Sequence, residues 1–476
     1  MKPSFKRFLV VAALALGAGS PVLAQENGTV VLRGGWLFDG VRDTRVRNPG
    51  IVVRGGTIIK VAAPTEADLQ GAQVVEVADG ETILPGFIDV HGHFSMSLVG
   101  RRRDEVGLYS VVFLANGVTT TFPAGEFNPT EMIDVRNRVE RGEQPGPRIW
   151  SSGPYYGTAR TGWKQDLTAD SIRKDIDYWV SQGMKRIKAK GASAKDLPVI
   201  IERAHYHGIT VAGHLESGRN NSVNPREAIL MGIDAVDHFM GGDAMPPTRS
   251  AYESVVLEDV NSPEMKAIYK MFIDNHVFYN TTLSTYGHVA NPDEVFDYWF
   301  DEPSLLTPYV RQVEKLNPDL LRPYSEQFRQ IYQKKSAEIK AFYDAGGGPW
   351  ITMATDAPSN GLRFSGFNAH REVHALVRAG IPTHAALKIA TINGARAIGM
   401  GDRLGTIEPR KFADLFVVQG DPLTDIRTTH NVKTVLRGGH VYDAKALLQS
   451  VVGKIGPASA EEAVAKGWAA GERERT

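Results

Sequence analysis

Two histidines one residue apart, His91 and His93, close the run Ile83-Leu84-Pro85-Gly86-Phe87-Ile88-Asp89-Val90-His91-Gly92-His93. Side chains of a β-strand alternate between its faces, so residues i and i+2 point the same way. Both imidazoles therefore leave one strand end on the same side, as two ligands of one metal ion must. Alone, the pair is equally a pair of polar loop residues. What adds weight is a set of residues at other predicted strand ends: Lys188 in Arg186-Ile187-Lys188-Ala189-Lys190, then His214, His238 and Asp356. Singly, a buried His is more often hydrogen-bonded core than ligand, and an Asp after a strand is usually a helix cap. Six such residues gathered at one face are hard to explain as chance.

The elements that must position them alternate strand with helix-period segments, the pattern of a βα-repeat with a parallel sheet. The predicted strands are Phe87–His91, Val118–Phe122, Arg148–Ser152, Arg186–Lys190, Thr210–Leu215, Ala235–Phe239, Val277–Leu283 and Trp350–Thr355. Ala169–Gln182, Lys195–His207, Pro225–Met231 and Glu264–Asn275 read as intervening helices. Eight strands predict a closed (β/α)₈ TIM barrel, whose active site lies at the C-terminal strand ends. An open doubly wound sheet is the competing fold, disfavoured because no Gly-rich phosphate loop follows the first strand. A second His-x-His, His205 and His207, ends a helix and precedes Gly208, so it falls at the opposite face and reads as structural.

Both ends of the chain are rich in Val, Ile and Gly. Val31-Leu32-Arg33-Gly34-Gly35-Trp36-Leu37-Phe38-Asp39 and Val435-Leu436-Arg437-Gly438-Gly439-His440-Val441-Tyr442-Asp443 resemble each other. They predict one small β-sandwich built from residues 25–84 and 402–450, around a barrel of residues 85–401. A tail, 451–476, ends the chain as a terminal helix or disorder. Lys2, Lys6 and Arg7, the short apolar stretch Phe8 to Gly19, and Val22-Leu23-Ala24 predict a signal peptide over 1–24. The expectation is an exported protein, secreted or periplasmic, with no membrane contact after cleavage.

The 476 residues contain no cysteine, which rules out disulfides, thiolate ligands and a cysteine nucleophile. Lys+Arg and Asp+Glu both number 54, so nothing in the net charge points to nucleic acid as a partner. A small-molecule substrate and a homo-oligomer are expected.

The motifs resemble those of the amidohydrolase superfamily of metal-dependent hydrolases. The resemblance is carried by Leu84 to His93, Gly183 to Lys188, Ala204 to Gly208, Gly213-His214, Gly232-Ile233-Asp234-Ala235-Val236-Asp237-His238, Thr391 to Arg396, Ala413-Asp414-Leu415 and Gly420-Asp421-Pro422. It is closest to the branch of imidazolonepropionase-like proteins and metal-dependent Xaa-Pro or Xaa-Arg dipeptidases. It implies two divalent ions, zinc by the absence of thiolate, bridged by a carbamate formed from carbon dioxide on Lys188. Lys190 shares the strand parity and is the rival; family position favours Lys188. By the same resemblance His91, His93 and Asp356 hold one ion, and His214 and His238 the other. A hydroxide between the ions attacks the carbonyl, and Asp356 carries its proton to the leaving group.

Specificity is expected from the loops after the strands. Substrate-contact candidates are Tyr155, Tyr156, Arg219, His288, Arg363 and His370, with Arg101-Arg102-Arg103 after strand one and Arg160, Trp163 and Phe364 in other loops. An arginine there would clamp a substrate carboxylate. The connection from Ser284 to about Pro323 holds Tyr286, Phe296, Tyr298, Trp299, Phe300 and Tyr309, and suggests a lid or an oligomer contact. A dipeptide, an N-acyl amino acid or an aryl amide all suit such a site. The competing readings are a lactonase or phosphotriesterase on the same metals, and a non-catalytic binding protein.

Overall fold

A computed structural model describes residues 28–98, 101–164, 167–290, 300–316, 325–359 and 364–468. Eight barrel strands follow in chain order: Phe87–Gly92, Val118–Pro123, Arg148–Ile149, Arg186–Lys190, Thr210–His214, Ala235–Asp237, Phe278–Asn280 and Ile351–Thr352. The first three pair in parallel, and so do the last five. Two backbone seams join these groups into a ring. At one, the Tyr156 N–H donates to Lys188 O (2.9 Å) and the Lys190 N–H to Tyr156 O (3.0 Å). At the other, the Val90 N–H donates to Met353 O (3.2 Å) and the Asp356 N–H to His91 O (2.7 Å). The second seam brings the first and last ligand candidates together through main-chain bonds. The result is the expected TIM barrel.

Local sequence explains where the helices begin. Thr168 caps Ala169–Ser181 through the Ser171 N–H, and Asn224 forms a capping box with Glu227 before Pro225–Met231. Gly232, at φ 94°, ends that helix in the left-handed conformation glycine accepts without strain.

Both chain ends supply one hydrogen-bonded sheet. Its backbone is the long strand Gln73–Pro85, which runs parallel to Thr29–Leu37 and antiparallel to Leu415–Gln419. Val30, Ile51, Ile83, Leu415 and Leu436, from both arms, share one apolar core. The two resembling segments are not structural equivalents. Gly34-Gly35 sits inside one strand, where the pairing register shifts. Gly438-Gly439 is the turn of a hairpin in which Arg437 faces His440. A left-handed Gly-Gly pair serves as bulge or as two-residue turn, depending on the pairing around it.

Sheet and barrel are tied by Arg148, whose Nε and Nη2 donate to Asp414 at 2.6 and 3.2 Å. The Asp414 side chain is 2 % exposed. Removing one partner of such a pair strands the other charge, so Asp414→Ala is expected to cost roughly 3–5 kcal/mol. Urea unfolding checks this; a loss below about 1 kcal/mol would show that the pair holds nothing together.

Past the seventh strand the chain forms helices Leu283–Ala290, Pro308–Leu316 and Glu326–Phe342. Tyr286 is not a lid residue: it is buried and stacks on Phe328. Phe300 stacks on Phe367. Phe296, Tyr298 and Trp299 lie outside the described residues. The tail forms the helix Ala460–Ala465 and docks, with Trp468 buried and Thr307 Oγ1 donating to Pro457 O (2.6 Å). Residues 1–24 also lie outside the described residues. Among the described residues, no helix is long and apolar enough to cross a membrane.

Candidate metal centre

The six expected residues reach the C-terminal mouth of the barrel. The His91 ring lies between two carboxylates, with Nδ1 3.0 Å from Asp237 Oδ1 and Nε2 3.3 Å from Asp356 Oδ1. His93 Nε2 is 3.1 Å from the same Asp356 oxygen. His238 stands 5.0 Å from His91 and 4.4 Å from His214, ring centre to ring centre. Lys188 Nζ is 3.4 Å from His91 Nδ1 and forms an ion pair with Asp237. Lys190 lies two residues further along the strand, opposite His214, and makes no such contact with His91.

Donor atoms of His91, His238 and Asp356 lie within 4.8 Å of one another, close enough to share an ion. His238 provides a sharper test. Its Nδ1 is engaged by Thr282 Oγ1 at 2.8 Å, while its Nε2 is buried and makes no hydrogen bond among the described residues. A ring fixed through one nitrogen with the other left bare is the arrangement of a metal-ligating histidine. The nitrogen and oxygen donor set therefore fits a divalent ion such as zinc.

Burial dominates the electrostatics. It pushes the His93 and His238 imidazoles well below their ordinary range and lowers His214, so these rings are kept neutral. It also lowers the Lys188 ammonium, against the attraction of Asp237. Burial works to raise the Asp356 carboxyl, but His91 and His93 outweigh it and hold the group well below the usual carboxylate range.

Asp237 is the residue that pattern reading missed. It precedes His238, and strand parity places neighbours on opposite faces. The structure breaks parity: His238 has φ 68°, so Asp237 and His238 both reach the centre. The signal was present as Asp237-His238 within one quoted motif. Asp89 was missed too. It accepts the His91 N–H (3.1 Å), the Thr355 N–H (3.2 Å) and the Thr355 hydroxyl (2.7 Å), fixing the first and eighth strand ends to each other.

The proposed substrate contacts separate. Tyr155 is buried beside the centre, its ring seated on Gly125. Tyr156 belongs elsewhere: its main chain seals a barrel seam and its ring meets Trp163 and Arg160. His370 sits within the helix Phe367–Arg378, where Nδ1 meets Thr429 Oγ1 (3.1 Å) and the ring packs on Phe87. The prediction failed there because the loop after strand eight is shorter than the sequence suggested. Arg219 is exposed and pairs with Glu253 at 3.4 Å. His288 lies on the helix Leu283–Ala290, and Arg363 lies outside the described residues. The second His-x-His is structural: His205 meets Asp234 at 3.0 Å and His207 meets Asp177 at 2.7 Å.

The description "Amidohydrolase family" matches residues 82–442. A 5-methylthioadenosine/S-adenosylhomocysteine deaminase of Teredinibacter turnerae is 47% identical over 53 residues, which span 11% of this chain and only 12% of that protein. An imidazolonepropionase of Brevibacillus brevis is 23% identical over 479 residues, 92% of this chain and 97% of the relative. The crystal structure of a Xaa-Pro dipeptidase with methionine bound in its active site superposes with a TM-score of 0.65 at 21% identity, covering 87% of this chain and all of that one. The match over residues 82–442 takes in the whole barrel, all six ligand candidates and the returning sheet strands, and the chain belongs to the amidohydrolase family, hydrolases of carbon–nitrogen bonds.

Proposed function

We propose that this protein is a metal-dependent amidohydrolase that cleaves an amide bond in a small molecule. The observation that carries the reading is the convergence of buried His91, His93, Lys188 and His238 with half-buried His214 and Asp356 at the mouth of one barrel. His91, His93 and Asp356 would hold one divalent ion, and His214 and His238 a second, with a carbamate on Lys188 between them. Bound ions of this kind polarise a carbonyl and acidify water.

The chain's own residues supply the rest. Asp356, held between two imidazoles, accepts the proton of the attacking water and returns it to the leaving nitrogen. Asp89 and Thr355 hold the strand ends that carry His91 and Asp356, so proton acceptor and ligands keep one geometry. Tyr155, buried and electrostatically coupled to Asp356, would donate to the developing oxyanion. We also propose export by a signal peptide over 1–24, removed before the mature protein works, and assembly as a homo-oligomer.

The test is metal content and hydrolysis together. Protein reconstituted with zinc and bicarbonate is expected to hold about two ions per chain. It is expected to hydrolyse members of a panel of dipeptides, N-acyl amino acids and aryl amides, and to stop after chelation. Protein that binds no metal tightly would overturn the reading. Turnover of lactones alone would keep the metals and replace the bond.

A further inference from the structure

Two residues that meet beside the proposed second ion have left-handed main chains: His238, at φ 68°, and Thr282, at φ 47°. Thr282 Oγ1 stands 2.8 Å from His238 Nδ1. A positive φ is a genuine outlier for a β-branched residue and persists only where the surroundings enforce it. The enforcing group is Glu372, on the helix Phe367–Arg378. Its side chain is fully buried and holds both flanks of Thr282. Oε1 accepts the Thr281 hydroxyl at 2.6 Å and the Leu283 N–H at 2.8 Å, and Oε2 accepts the Ser284 N–H at 2.6 Å.

Helix capping alone does not account for this arrangement. Thr282 directly precedes the helix Leu283–Ala290. A threonine there ordinarily turns its hydroxyl onto the free N–H groups of the first turn. Here a carboxylate from another helix takes two of those N–H groups, and the Thr282 hydroxyl faces His238 instead. The His238 main chain is anchored separately. Its N–H donates to Asn280 O at 3.2 Å, and its carbonyl accepts from the Tyr279 hydroxyl at 2.8 Å and from Lys335 Nζ. Rotation of the ring is the freedom that remains, and Thr282 removes it.

We infer that Glu372 is a positioning residue for His238, acting through the strained turn at Thr282. The Thr282 oxygen accepts the Nδ1 proton, and a neutral imidazole that donates from Nδ1 keeps its lone pair on Nε2, the nitrogen left bare. The inference rests on the metal-dependent reading and deepens it. A carboxylate outside the ligand set decides which nitrogen of His238 is offered to an ion, and in which direction.

The experiment titrates the full chain, stripped of metal, with zinc in bicarbonate against a chelating indicator. Wild type is compared with Thr282→Val, Thr282→Ser, Glu372→Gln and the double variant Thr282→Val/Glu372→Gln. Affinity for the ion assigned to His214 and His238 should fall roughly 10- to 100-fold in Thr282→Val and in Glu372→Gln. The other ion should change by less than about threefold, and Thr282→Ser should restore wild-type affinity. The double variant should be no weaker than Thr282→Val, because Glu372 acts through Thr282. If Glu372→Gln does not fold, Glu372→Asp, one carbon shorter, is read in its place. NMR of metal-free protein with isotope-labelled histidine nitrogens, assigned by His238→Gln, reads the tautomer directly. His238 should carry its proton on Nδ1 in wild type and Thr282→Ser, and on either nitrogen in Thr282→Val and Glu372→Gln. An equal loss at both ions, or fully additive effects in the double variant, overturns the inference. Wild type that binds no zinc, yet has a tautomer set by Glu372 and Thr282, sustains the positioning role and sinks the metal reading. Two tightly held ions, with affinity and tautomer indifferent to Glu372, do the reverse.

Discussion

Asp356→Asn is expected to fold, to keep most of its metal, and to lose turnover by about 10²–10⁴-fold. The carboxamide preserves the shape of the group and keeps an oxygen toward His91, His93 and the Ser359 hydroxyl, which donates to Asp356 Oδ1 at 3.1 Å. Asp356 has φ 48°, a conformation asparagine tolerates as well as aspartate does, so the substitution adds no backbone strain. What is lost is the ability to take a proton from water. Steady-state kinetics with metal analysis on the same samples decides the matter. A kcat within tenfold of wild type would remove Asp356 from proton transfer, whereas a parallel fall in metal content would make it a ligand only.

Lys188→Ala is expected to act twice. Without metal, it leaves Asp237 buried with His91 at 3.0 Å and the Asn280 amide at 2.6 Å but without its ammonium partner. Breaking a buried pair in this way costs roughly 3–5 kcal/mol. With zinc and bicarbonate, the variant should hold clearly fewer ions than wild type, because the proposed bridge is gone. Unfolding curves and elemental analysis read the two effects separately. Replacing both partners, Lys188→Met with Asp237→Leu, should restore much of the metal-free stability and none of the metal. Full metal content in Lys188→Ala would end the bridging role, and Lys190 would be the next residue to replace.

Much of this arrangement was legible without coordinates. The barrel strands could be placed because most are short runs with β-branched or aromatic residues bounded by turn residues, and largely buried strands leave that signal. The ligand candidates were legible because a barrel puts function at one end of its strands. Asp237 was hidden because the parity argument holds only while φ stays negative, and His238 leaves that region one residue past the strand. Tyr156 and His370 misled for a related reason. Placement in a connection says where the backbone runs, and only packing shows that one ring faces Trp163 and the other Phe87. The hairpin that pairs Ser95–Leu98 with Arg101–Asp104 was visible as three arginines but not as a hairpin, since its second arm is all charged.

The sheet made from both chain ends has a consequence in time. Gln73–Pro85 emerges early from the ribosome, but its partner Leu415–Gln419 comes far later; the Thr82 hydroxyl donates to the carbonyl of Gly420 across 338 positions. Synthesis at roughly 5–20 residues per second leaves that strand edge open for tens of seconds. Ile83 and Leu84, fully buried in the finished protein, lack the cover of Leu415–Gln419 throughout. An open apolar edge is a template for pairing with the wrong chain. The barrel is therefore the part that must mature around an unfinished seam, and truncation anywhere before residue 415 should yield aggregate, not a smaller soluble enzyme.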